Sequence, residues 1–345
     1  MLVPERNVGE LSRRLGAWLH ARVGADVAVA EVAKPSTGFS NETFLFTLRH
    51  GDGRSERLVA RLEPAGFQVF PRYDLPGQAR VLAALTGTDV PVPRVRWVEP
   101  DAAVLGSPFY VMDAIAGEVP SEVPPYHQTG FCFDATPERR ATIWWNGIAT
   151  LARVHALDWR ARGLGFLGIP RDGTDPVDRQ LDYWARYLAW SEGPEPVPIL
   201  AVALDWLRAH RYAPRRVTLC WGDARLPNLM YRDDSVVAVL DWEMAFLGDP
   251  EADVAWWLFM HWANGEGYDV PPLPGFPSRD ETLARYAALA GAPVEHLRWN
   301  EIFAALRFGL IMARIARRMV EVGIPAPVPD FERNNSCTRR LAELL

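Results

Sequence analysis

Within residues 218–243, TLCWGDARLPNLMYRDDSVVAVLDWE, four oxygen-bearing side chains stand at spacings that could do chemistry. Asp223 sits in a short loop after an apolar run (Val217, Leu219, Cys220, Trp221), and Asn228 follows five residues later. A second apolar run, 236–240, then delivers Asp241 and Glu243. Asp-x4-Asn followed by a strand that ends in Asp is the pattern of a phosphoryl-transfer site. One carboxylate orients and deprotonates an attacking hydroxyl, while an amide oxygen and a second carboxylate hold Mg²⁺ at the phosphates. Hard oxygen donors suit that ion, which needs only one or two carboxylates besides the nucleotide. The alternative is a polar β-hairpin whose Asp and Asn are ordinary turn residues. Four matched positions with strand-like runs on both sides weigh against it.

The interval from Asp223 to Asp241 matches that between the catalytic and metal loops of protein kinases. WGDARLPN with LDWE resembles the aminoglycoside phosphotransferase and choline kinase-like family, kinase relatives that phosphorylate small molecules. That family usually writes HGD-x4-N and then I-D-[FWY]-[EG]; here Trp221 replaces the His, at a position that packs behind the loop. The resemblance implies an α/β (α+β) two-lobed protein-kinase-like fold. A small antiparallel-sheet lobe over 1–112 would bind nucleotide, 113–117 would be the hinge, and 118–345 a helical lobe. It also implies roles. Asp223 is the base, and Arg225 occupies the place of the catalytic-loop lysine, neutralising charge on the transferring γ-phosphoryl group. Asn228 and Asp241 hold Mg²⁺, and Glu243, two residues on, contacts a second metal or its waters. ATP (or GTP) is the expected donor and a hydroxylated small molecule the acceptor.

For the small lobe the resemblance places Ser40 and Asn41 in a loop, 36–43, that folds over the phosphates. With one glycine that loop reads equally well as a plain hairpin connection. Arg61 ends a strand where kinases carry a phosphate-gripping lysine, and a guanidinium suits phosphate oxygens. A solvated strand arginine is the competing explanation. Gln78 stands where the lysine's glutamate partner is expected, which would reduce the ion pair to a hydrogen bond; an exposed helix glutamine explains it equally well. Met112 would flank the adenine, with the backbone of Asp113 and Ile115 bonding its edge.

The elements that position these residues follow from periodicity. Residues 8–23 space their apolar positions as an amphipathic helix, and 27–32, 43–48 and 57–62 read as strands. A helix over 74–85 and strands over 90–98 and 109–112 complete the first lobe. A Pro- and Ser-rich loop, 119–136, precedes a helix over 137–158, with Thr136 as its cap and Pro137 in its first turn. His155, near that helix's end, is expected to pack behind the catalytic loop. GLGFLG (163–168) matches a dinucleotide fingerprint only formally, because it follows a helix and runs into Ile169-Pro170. Helices over 177–190 and 199–210 lead to the catalytic stretch. After it, GDPEAD resembles the family's D-P-x-x-D, whose second Asp, here Asp253, braces the loop. The Pro-rich segment 265–279 reads as a lid or wall, followed by helices over 280–290 and 296–322 and a tail that is irregular until a last short turn.

The helix over 296–322 is apolar all round, the sign of a buried helix. Arg307, Arg314 and Arg318 nevertheless fall within about 40° of one another on its wheel. Buried arginines need anionic partners. Carboxylates of the same lobe would satisfy them, or the stripe would line an acceptor pocket and favour a neutral or anionic acceptor such as a hydroxy acid or hydroxyacyl-CoA.

Composition sets the remaining bounds. The 345 residues are 49% hydrophobic and 23% charged, ordinary for a globular protein, and the net charge of −6 offers nothing to nucleic acid or an anionic membrane. Three distant cysteines suggest neither a zinc site nor a disulfide framework. No stretch approaches the ~18 apolar residues of a membrane span, and a cytoplasmic location is expected. Lys34 is the sole lysine, so any phosphate contact made by lysine in related kinases falls to arginine. Two other readings remain open: an aminoglycoside phosphotransferase, and a non-catalytic nucleotide-binding pseudokinase, suggested by Arg61 and Gln78 in place of Lys and Glu.

Overall fold

The computed structural model describes residues 6–24, 26–34, 41–168, 175–191, 193 and 196–345. The chain divides into two units. One runs to Thr86 and resumes over Val92–Ala116; the other takes Gly87–Pro91 and Gly117–Leu345.

The first unit is helix on sheet. Helix α1 (Val8–Val23) precedes strands β1 (Val27–Ala33), β2 (Glu42–His50) and β3 (Ser55–Leu62). Helix α2 (Leu75–Leu85), strand β4 (Val95–Glu99), the single turn α3 (Ala102–Leu105) and strand β5 (Phe109–Asp113) follow. The strands form one antiparallel sheet in the order β1-β2-β3-β5-β4. Alternation in β2 sends Phe44, Phe46 and Leu48 to one face, where they meet Leu11, Leu15, Trp18 and Leu19 of α1. Trp18 packs edge-on to Phe109 and donates its indole N–H to Glu99 at 2.7 Å, so even its polar tip is satisfied. The expected strand over 90–98 begins only at Val95. Pro91 and Pro93 remove ladder donors at alternate positions, which keeps that part of the chain out of the sheet.

The second unit is mostly helical. It holds α4 (Phe131–Asp134), α5 (Pro137–Ala156), α6 (Pro176–Ser191) and α7 (Pro198–Ala209). After these come strands β6 (Thr218–Cys220), β7 (Leu229–Arg232), β8 (Ser235–Val239) and β9 (Phe246–Gly248). Helices α8 (Glu251–Ala263), α9 (Arg279–Ala290), α10 (Leu297–Glu321) and α11 (Ser336–Leu344) close the chain. The strands pair as two antiparallel ribbons, β6 with β9 and β7 with β8. The loop carrying Asp223 connects the two ribbons. The chain enters the unit tightly: Glu118 and Tyr231 exchange backbone bonds of 2.9 and 2.7 Å. A Cβ on Gly117 would lie 2.7 Å from the Tyr231 carbonyl, so only glycine allows that approach.

Thr136 caps α5, accepting from Arg139 N, and Ser278 with Glu281 makes a reciprocal capping box on α9. The last short turn expected of the tail is a nine-residue helix, α11, capped by Asn335. One expectation needs correction: α10 is not buried all round, because burial runs from Trp299 to Ala316 and then ceases. Among the described residues no helix is long and apolar enough to cross a membrane.

Candidate phosphoryl-transfer site

Strand β6 leads directly into Trp221 and Gly222. Gly222 has φ of +87°, and a Cβ there would lie 2.0 Å from the Met244 carbonyl oxygen. Only glycine can make this turn. The turn is held from behind by Asp253 in the first turn of α8. Its carboxylate accepts the Trp221 N–H at 2.6 Å and the Gly222 N–H at 2.9 Å. His155 Nε2 lies 3.1 Å from the same carboxylate, and its Nδ1 is 2.6 Å from the Tyr286 hydroxyl. An ionised carboxylate only accepts, so Nε2 carries the ring proton and Nδ1 accepts from Tyr286. The bracing expected of Asp253 and the packing expected of His155 are thus one connected bracket.

His155, Cys220 and Asp253 also place one ligand-type atom each within 4.8 Å of one another. Their chemistry is nevertheless that of a hydrogen-bonded support. Both Asp253 oxygens are engaged, and the Cys220 thiol donates to the Asp249 carbonyl at 3.3 Å. Burial holds that thiol far above its ordinary pKa, against the thiolate a metal would require.

Asp223 projects from the next position and is 7% exposed. Its Oδ2 accepts from Arg225 Nε at 3.0 Å and Asn228 Nδ2 at 2.7 Å; its Oδ1 accepts from Trp256 Nε1 at 2.8 Å. Arg225 also forms an ion pair with Glu122. Burial works against the Arg225 charge, but Asp223 and Glu122 outweigh it and raise its pKa above the ordinary value. The positive charge expected for the phosphoryl group is therefore already matched by two carboxylates.

Asn228 gives its side-chain N–H bonds to Asp223 O and Oδ2, which leaves its carbonyl oxygen for a ligand. The Leu240 N–H donates to Asn228 O at 2.9 Å, tying the end of β8 to this loop. Asp241 follows with φ of +58°, left-handed backbone that Asp tolerates better than most residues. Trp221 holds this segment as well, its indole N–H shared between the Leu240 and Asp241 carbonyls at 2.8 and 3.1 Å. Asp241 and Glu243 are half-buried. Asn228, Asp241 and Glu243 carry hard oxygen donors of the kind Mg²⁺ takes, and the Asn228 amide is oriented by its own N–H bonds.

The first unit places its expected nucleotide residues in and beside its sheet. Arg61, in β3, is 9% exposed, so it is not a solvated strand arginine. Gln78 in α2 is 5% exposed, which corrects its reading as an exposed helix residue. Among the described residues its Oε1 has no hydrogen-bond partner, so the expected bond between Arg61 and that oxygen is not formed. Asn41 and Met112 are buried; Asp113 and Ile115 are half-buried. The Asp113 N–H already donates to Arg94 O at 2.9 Å, and its carboxylate bonds Arg96 at the same distance. Any adenine bond through the Asp113 N–H is thereby excluded. Ser40, with most of the expected phosphate loop, lies outside the described residues.

The arginine stripe on α10 does not hold together. Arg307 is 1% exposed and donates to the Gly222 carbonyl, with its guanidinium 4.2 Å from the Trp256 ring centroid. Burial lowers its pKa to about 10, against the pull of Asp253 and Asp223. Arg314 is half-buried over Trp190, and Arg318 is paired with Glu321 at 3.1 Å. The three share a helical face but not an environment, because α10 leaves the core between them. Sequence reasoning missed two residues that touch the site, Glu122 and Trp256. Glu122 comes from an irregular loop about a hundred positions away with no periodic signal, and Trp256 reads as one more apolar position in a tryptophan-rich helix.

The model of the phosphotransferase enzyme family (APH) matches residues 31–296. Mouse acyl-CoA dehydrogenase family member 10 is 28% identical over 318 residues, covering 89% of this chain and 28% of that protein. The chain spans only 28–38% of the length of the acyl-CoA dehydrogenase family members 10 and 11 that it matches. Among solved structures it is similar to a Ralstonia eutropha protein whose assignment as an aminoglycoside phosphotransferase is itself provisional. That pair has 25% identity and a TM-score of 0.70, over 96% of this chain and 97% of the other. The fold is also that of a thermostable mutant of aminoglycoside phosphotransferase APH(4)-Ia, solved with AMP-PNP and hygromycin B. Identity there is 17% and the TM-score 0.58, over 96% of this chain and 97% of the other. The mixed α/β, protein-kinase-like fold expected from the sequence is the one observed.

Proposed function

The chain belongs to the phosphotransferase enzyme family, and from that premise we propose an ATP- and Mg²⁺-dependent kinase that moves the γ-phosphoryl group to the hydroxyl of a neutral or anionic small molecule, a hydroxyacyl-CoA first among them. The observation that carries the reading is the geometry of Asp223. Its carboxylate is fixed by Arg225, Asn228 and Trp256, yet one lone pair is left over, as a base requires.

Asp223 accepts the hydroxyl proton as the oxygen attacks. Arg225 keeps the carboxylate aimed. Asn228, Asp241 and Glu243 would hold Mg²⁺, which when bound draws charge from the phosphate oxygens. Arg61 is the candidate for the phosphates of the nucleotide, and Gln78 contributes the shape of its surroundings rather than a bond. Support for the acyl-CoA acceptor comes from relatives named for acyl-CoA dehydrogenation. The aminoglycoside reading is favoured instead by the structural neighbour that holds hygromycin B.

One assay separates them. ATP consumption is measured with hydroxyacyl-CoAs and with aminoglycosides at equal concentration, using wild type and Asp223→Asn. Turnover of a hydroxyacyl-CoA, falling by roughly two to four orders of magnitude in the variant, is expected. Turnover of aminoglycosides alone would sink the acceptor assignment. Nucleotide binding without product from either class points to the pseudokinase.

A further inference from the structure

The three protein bonds to Asp223 are unequally divided between its oxygens. Oδ2 accepts two, from Arg225 Nε and Asn228 Nδ2. An ionised carboxylate offers about two acceptor sites per oxygen, so Oδ2 is full. Among the described residues Oδ1 accepts only the Trp256 indole N–H, at 2.8 Å, and keeps one site. We propose that Oδ1 is the oxygen that takes the acceptor's proton, and that Trp256 is the positioning residue that aims it. This rests on the reading of Asp223 as the base.

The step balances. The acceptor O–H bond breaks and its proton passes to Oδ1. The freed oxygen pair forms the new bond to γ-phosphorus. The bond from that phosphorus to the β–γ bridging oxygen breaks, and its electron pair leaves on ADP.

Tryptophan suits the task because its indole N–H donates and cannot accept. A hydroxyl in its place could take the proton itself or turn away. The ring is also immobilised. Trp256 is 1% exposed and follows Asp253 by three residues on α8, so one face of the helix supports both the loop amides and the base. Arg307 stacks against the indole at 4.2 Å and donates to the Gly222 carbonyl. It therefore clamps the ring and the loop together. The neighbouring Trp257 points elsewhere, packing edge-on to Trp144 at 5.3 Å. Only one indole of the pair reaches the base.

The acceptor is unidentified, so the probe is Mg-ATP with water as acceptor, read as phosphate release. Wild type, Trp256→Phe, Asp223→Ala and the double variant form a cycle, each checked by thermal unfolding. Asp223→Ala is expected to slow release roughly a hundredfold. Trp256→Phe should lower kcat about tenfold, the effect of one lost hydrogen bond to a charged group, with KM for ATP unchanged. In the Asp223→Ala background it should cost nothing further. Equal losses in both backgrounds, or a raised KM at constant kcat, mean that Trp256 is merely structural and overturn the inference. Wild-type hydrolysis by Asp223→Ala would remove the base reading, and the inference with it. If Trp256→Phe does not fold, Trp256→His is run through the same cycle. A loss confined to the Asp223 background supports the inference, and a loss in both overturns it.

Discussion

Helix α8 serves two buried polar clusters that solve the same problem in opposite ways. Near its start, Asp253 keeps its carboxylate and meets two backbone N–H groups and His155. Near its end, His261 sits among Tyr126, His127, Trp144 and Phe276, with its Nδ1 bonded to the Tyr126 hydroxyl at 2.7 Å. Burial, helped by the Arg140 charge, pushes His127 down to about 4, and burial pushes His261 down to about 3. At neutral pH that cluster holds no charge. An internal charge is costly unless paired and hydrogen-bonded. The fold therefore retains one where it organises backbone beside Asp223, and elsewhere keeps the buried group neutral. Only the first arrangement can orient a loop against its own tendency to relax.

Breaking the charged cluster should have the largest effect. Asp253→Ala orphans two buried amides and the His155 N–H, each worth about 1–3 kcal/mol. Chemical denaturation is expected to show a loss of roughly 3 kcal/mol or more, with Asp253→Asn losing less because its carbonyl still accepts. A loss below about 1 kcal/mol would mean that water replaces the carboxylate and that the bracket is dispensable.

The neutral cluster should respond to acid instead. Below pH 6.5 the unfolded chain protonates both rings, whereas the folded rings resist until about 4 and 3. The unfolded state then binds more protons, so stability is lost as pH falls through this window. By pH 4 each histidine accounts for roughly 3 kcal/mol. Replacing His261 with Phe should flatten the profile between pH 6.5 and 4 relative to wild type. Parallel profiles would assign the acid loss to other groups.

The smallest effect is expected where α10 has left the core. Arg318→Ala removes an ion pair with the half-exposed end of the helix and should change stability by less than about 0.5 kcal/mol. A larger loss would restore the idea of a continuous arginine stripe with Arg307.

The local sequence determined more at the loop carrying Asp223 than anywhere else in the chain. Asp223, Asn228 and Asp241 are legible because their spacing is set by a short loop and a hairpin, and Asp253 because it sits at a fixed offset after a turn. Gly222 and the strand alternation of β2 belong to the same class: backbone conformation and local periodicity are written within a few residues. Gln78 and the three arginines were not legible in this way. A helical wheel says which residues share a face, but burial depends on how far the helix stays against its neighbours. Glu122 and Trp256 reach Asp223 from distant stretches, and no short-range pattern encodes such a meeting. Which oxygen of Asp223 remains open is likewise a tertiary decision, made by donors arriving from the loop itself and from α8, whose packing places them 2.7–3.0 Å from the carboxylate.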